Sequence, residues 1–132
     1  MDLDELKRVV SEIAGREPSV LAAWIFGSRA RSEERPGSDV DVALLTIGEA
    51  RTPAIEDRIA REVAERTSLD IDVCRLEAAG PVLALEIVAE GLRVFTRDEE
   101  RVDAAEERVR RTYLDTAHLR RVQHHYLYGD PL

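Results

Sequence analysis

Apolar residues recur every three to four positions between residues 3 and 14, where Leu3, Leu6, Val9, Val10 and Ile13 fall on one helical stripe. Asp2 stands just before them, a side chain suited to accept from the unpaired N–H groups of a first turn. The pattern then changes. Residues 20–26, VLAAWIF, make a nearly unbroken apolar run ending at Gly27, as expected of a buried strand. A short helix is expected after the Gly27-Ser28 turn, stopped by Pro36-Gly37. Residues 39–47, DVDVALLTI, alternate: Asp39 and Asp41 point one way, and Val40, Val42 and Leu44 the other.

Thr52-Pro53 reads as a helix cap followed by proline at the first helical position, with Ile55, Ile59 and Val63 facing inward. LDIDVCRL (69–76) is a second strand carrying carboxylates. Gly80-Pro81 opens a helix that runs to about Ala89 and ends at Gly91, and LRVF (92–95) is a short strand. Thr96-x-x-Glu99 has the spacing of a capping box for a long terminal helix reaching about Leu127. Its apolar positions, from Val102 to Val122, are sparse and drift around the axis, so one end can cover a sheet while the other meets a partner. Strands alternating with helices predict an α/β (α+β) domain: a mixed sheet of about four strands flanked by helices, with a long C-terminal helix. Residues 1–132 are expected to form one domain, with a core over 1–95 and the helix over 96–132.

Composition narrows the function. Charged residues are 35% of the chain and apolar residues 44%, which fits a folded globular domain. With 27 acidic against 19 basic side chains, the net charge of −8 disfavours direct nucleic-acid binding, because phosphates need a basic stripe. No apolar stretch approaches the roughly 20 residues of a membrane span, and the charged N-terminus does not read as a secretory signal. Cys74 is the single cysteine, so no disulfide framework or paired-cysteine metal site is possible; a cytoplasmic location is expected.

The chemistry concentrates in Gly27-Ser28-Arg29, followed ten residues after Ser28 by Asp39-Val40-Asp41. A glycine lets backbone approach a ligand closely, and N–H groups at a strand-to-helix turn cradle phosphate. Two carboxylates on one strand face repel unless a cation lies between them, and hard oxygen donors suit Mg²⁺. Asp70 and Asp72 share a face of the next carboxylate-bearing strand. One of them can complete a trio able to hold two metals, one at the attacking oxygen and one at a triphosphate.

This motif resembles the signature of the DNA polymerase β nucleotidyltransferase superfamily. At this length the chain is similar to the minimal nucleotidyltransferases, or MNT proteins, antitoxin partners of HEPN-domain ribonuclease toxins. The similarity extends through Asp72, Pro81 and the Glu90-Gly91-Leu92-Arg93-Val94-Phe95 segment. The resemblance implies that Asp39, Asp41 and Asp72 are the catalytic, metal-binding carboxylates for Mg²⁺ or Mn²⁺. It further implies that Gly27 and Ser28, with Arg29 beside them, hold the triphosphate of ATP. Some MNT antitoxins transfer AMP onto a toxin tyrosine, and that activity is the expectation for this chain. A HEPN toxin or a second copy of the chain is the expected partner.

Two alternatives belong to other classes: an antitoxin that neutralises by contact alone, and a nucleotidyltransferase acting on an aminoglycoside-like small molecule. The latter usually carries an extra domain to shape its acceptor pocket. Arg120 and His125 mimic the Arg-x4-His spacing of HEPN nucleases, but that motif needs a HEPN helical bundle around it. His118, His124 and His125 are read as surface-helix residues, and Cys74 as a small apolar filler.

Overall fold

The computed structural model describes residues 1–30, 39–47 and 53–129. The expected short helix before Pro36 and the Thr52 cap lie outside these residues. Among the described residues the order is α1 (Leu3–Gly15), β1 (Val20–Phe26), β2 (Val40–Thr46), α2 (Pro53–Thr67), β3 (Ile71–Arg75), a 3₁₀ turn (Leu76–Ala78), α3 (Pro81–Glu90), β4 (Leu92–Thr96), α4 (Glu99–Asp115) and α5 (Ala117–Tyr128). Asp2 caps α1 as expected, its carboxylate accepting from Glu5 N–H at 2.8 Å. Pro81 sits in the first turn of α3, where its missing N–H has no partner to lose.

The strands form one mixed sheet in the order β3-β2-β1-β4. β1 pairs antiparallel with both β2 and β4, whereas β2 and β3 run parallel, with α2 between them in sequence. The period-2 alternation assigns two cores. Ala23, Ile25, Val40, Val42 and Leu44 meet the stripes of α1 and α2 on one face. Trp24, Phe26, Ala43, Leu45 and Leu76 meet α3 and α4 on the other. This double cover explains why β1 is apolar at every position and buried throughout.

A polar knot fixes α4 to the sheet. Glu106 accepts from Trp24 Nε1 at 3.3 Å and from Arg93 Nη2 at 2.7 Å, and Arg93 also reaches Asp103 at 2.8 Å. On the opposite face, buried Arg75 pairs with Glu56 of α2.

Two features differ from the sequence-based expectation. Thr96 ends β4, paired with Ala22, and the helix cap is Asp98, which accepts from Arg101 N–H at 3.2 Å. The terminal helix is also divided: α4 stops at Asp115, α5 starts at Ala117, and Thr116 lies between with φ −94° and ψ 3°. Val102 and Ala105 of α4 are buried, but no residue of α5 is. Among the described residues, no helix is long and apolar enough to cross a membrane.

Candidate active site

The end of β1, the start of β2 and the start of β3 meet at one edge of the α3/α4 face. Register brings the important side chains together: Asp41 lies opposite Phe26 of β1 on one side and Asp72 of β3 on the other. Gly27 therefore begins its turn beside Asp41. Its φ of +75° belongs to the left-handed region, and a Cβ there would lie 2.4 Å from Asp41 Oδ2. Both facts require glycine at this position. Ser28 and Arg29 follow in the same turn, half-buried. Arg29 Nε is buried and has no hydrogen-bond partner among the described residues, a donor that a phosphate oxygen would satisfy.

Asp39 stands one step before β2. Val40 N–H donates to Asp70 C=O at 2.8 Å, which continues the ladder and puts Asp39 alongside Asp70. Asp39, Asp70 and Asp72 are exposed, whereas Asp41 is half-buried. Asp70 and Asp72 share a face, so the pattern within their strand cannot rank them; the register sets Asp72, not Asp70, beside Asp41. Among the described residues, no three His, Cys, Asp or Glu side chains converge closely enough to hold a metal ion unaided.

Cys74 follows Asp72 on the same face, packed against the core of α3 and α4. Burial, then the charges of Asp72, Asp41 and Glu56, push its thiol up to about 11. It is neutral at pH 7, consistent with an apolar filler rather than a nucleophile. Beyond it, four residues along β2 and β3 from the aspartates (about 13 Å), a cavity of about 440 Å³ opens between the sheet, α3 and α4. Leu45, Leu76, Pro81 and Val109 give it apolar walls, with Glu77 and Arg108 at its polar edges. The sequence pattern did not reveal this cavity, because its walls come from separate elements.

This geometry coincides with a family match: the polymerase beta nucleotidyltransferase model covers residues 9–100, from within α1 into the start of α4. The chain belongs to the polymerase β nucleotidyltransferase family. The nucleotidyltransferase is 32% identical over 95 residues to the Methanocaldococcus jannaschii protein named "Putative protein adenylyltransferase MJ0435", covering 72% of this chain and 100% of that protein. It is 22% identical over 93 residues to protein adenylyltransferase MntA of Shewanella oneidensis, covering 70% of this chain and 66% of MntA. Its fold matches a chain of a toxin–antitoxin complex with AMP-PNP at a TM-score of 0.73 and 17% identity, over 94% of this chain and 96% of that one. It matches equally, at 0.73 and 16% identity, a chain of the Shewanella oneidensis complex of a tri-AMPylated HEPN toxin with its MNT antitoxin, over 94% of this chain and 98% of that one. The mixed sheet with helices on both faces is thus the nucleotidyltransferase fold.

Proposed function

We propose that this nucleotidyltransferase is an antitoxin that transfers AMP from ATP to a tyrosine hydroxyl of a HEPN-type ribonuclease toxin in the cytoplasm. The observation that carries the reading is the placement of Asp41 between the Gly27-Ser28 turn and Asp72. A phosphate cradle and a proton-accepting carboxylate then flank one small volume. The names of the two relatives, both protein adenylyltransferases, support AMP as the transferred group. The HEPN toxin seated with an MNT antitoxin in a complex of the same fold supports the acceptor class.

In this reading the N–H groups and hydroxyl of the Gly27-Ser28 turn bind the triphosphate, and the Arg29 guanidinium neutralises part of its charge. The tyrosine oxygen attacks the α-phosphorus, the bond to pyrophosphate breaks, and Asp72 takes the hydroxyl proton. The donor set also fits Mg²⁺ or Mn²⁺. Asp41 and Asp72 are register neighbours, with Asp39 two residues before Asp41, and would offer hard-oxygen donors; Mg²⁺ commonly takes one or two carboxylates plus substrate phosphates. A protein cage of three converged side chains is therefore not required. Bound there, the cation would supply charge neutralisation on the phosphates and acidify the acceptor hydroxyl.

The exposed α5 favours a second reading, in which the chain neutralises its toxin by contact alone. One experiment separates the two: incubation of the HEPN toxin with labelled ATP, Mg²⁺ and either wild type or Asp41→Asn. Label on the toxin with wild type only, together with loss of neutralisation by the variant, supports transfer. Full neutralisation by an inactive Asp41→Asn supports contact.

A further inference from the structure

No residue of α5 is buried, so the direction of the helix depends strongly on the junction at Thr116. The Thr116 backbone N–H donates to Thr112 C=O at 3.0 Å, and its hydroxyl donates to the same oxygen at 2.8 Å. A side-chain hydroxyl that back-bonds in this way competes with the helical ladder and bends it. Arg120 closes the corner from the far side. Its Nη1 donates to Thr116 Oγ1 at 2.6 Å and its Nη2 to Tyr113 C=O at 2.7 Å, while Cζ lies 3.8 Å from the centroid of the Tyr113 ring. The guanidinium thus satisfies a carbonyl left by the end of α4, the hydroxyl that makes the break, and an aromatic face at once. A planar fork suits this task and an ammonium does not.

We infer that Arg120 is a positioning residue: with Thr116 and Tyr113 it locks the α4–α5 corner, and so sets the direction in which α5 is presented to its partner. The inference rests on the proposed function, with exposed α5 taken as the element that meets the HEPN toxin. Leu119, Tyr126 and Tyr128 are 66%, 81% and 71% exposed, and they lie on an element held to the body through α4. A protruding helix without a lock samples many directions, and only the competent fraction binds.

Spin labels at Glu100 on α4 and Gln123 on α5, in a Cys74→Ala background, measure the corner directly. Wild type and Tyr113→Phe, which keeps the ring, are expected to give one narrow distance distribution. Arg120→Met and Arg120→Lys are expected to broaden it and Thr116→Val to shift it, with unchanged melting temperature and nucleotide affinity because no residue of α5 is buried. A narrow, wild-type distribution in Arg120→Met would overturn the lock. In a binding assay with the HEPN toxin, Arg120→Met and Thr116→Val should both weaken affinity, about tenfold if the competent direction falls to about a tenth of the population. Thr116→Val tests the corner without removing an arginine that could touch the toxin. Broadened distances with undiminished toxin affinity would leave the lock standing and overturn the docking reading on which its purpose rests.

Discussion

At Gly27 the backbone and its neighbour make the same demand. A methyl group would make the left-handed φ cost about 1–2 kcal/mol, and it would also press on the Asp41 carboxylate. Gly27→Ala should therefore lower the melting temperature modestly and, by displacing Asp41, weaken nucleotide binding more than its stability cost implies. Calorimetric titration with ATP and Mg²⁺ checks this; unchanged affinity would show that the turn does not contact the phosphates. Asp41→Asn keeps the volume and removes charge beside Asp72, so the apo fold should be as stable or more so. Transfer activity should fall by about two to three orders of magnitude, the scale of losing one electrostatic stabiliser. Thermal melts paired with an AMP-transfer assay read both, and an unfolded variant would make Asp41 structural. At this scale the sequence was informative for Asp39 and Asp41, because a strand's period of two is a local rule. The placement of Asp70 and Asp72 was not local: they share a face, and only the pairing with β2 sets Asp72 beside Asp41 and Asp70 beside Asp39.

Elements were legible where a local pattern and a local cap agreed. The stripe from Leu3 to Ile13 with Asp2, and Pro81 with Gly91, marked their helices to within a residue or two. Thr96 misled because two cap-competent residues stand two apart, and the ladder with Ala22 keeps Thr96 in β4, leaving the cap to Asp98. The division at Thr116 was hidden for another reason: the sparse apolar positions keep helical spacing across it, and the break is made by a hydroxyl and a guanidinium. The attachment of α4 makes its own prediction. Glu106→Ala would leave the indole N–H of Trp24 and most of the Arg93 fork unsatisfied near the core, costing about 2–4 kcal/mol. Urea denaturation should show that loss, and hydrogen exchange should concentrate the added opening in α4; a cost below about 1 kcal/mol would mean water replaces the carboxylate freely.

For the whole molecule, the two cores and the corner divide the labour. Truncation after Asp115 removes an element with no buried residue, so folding and nucleotide affinity should persist while capture of the HEPN toxin fails. A pull-down with the truncated chain checks this, and undiminished capture would place the interface elsewhere on the body. The fold class was readable because strands and helices alternate along the chain, whereas the antiparallel placement of β1 at the centre required long-range pairing.

The knot around Glu106 has an optical consequence. Trp24 is the chain's single tryptophan, only 1% exposed, and it sits on β1 three residues before Gly27 with its indole tethered to α4. Its emission is therefore a built-in gauge of whether the fourth helix is seated. Blue-shifted light is expected while α4 is docked, and a red shift once water reaches the ring. A toxin that pried the helix loose on binding would announce itself by colour, without any added dye.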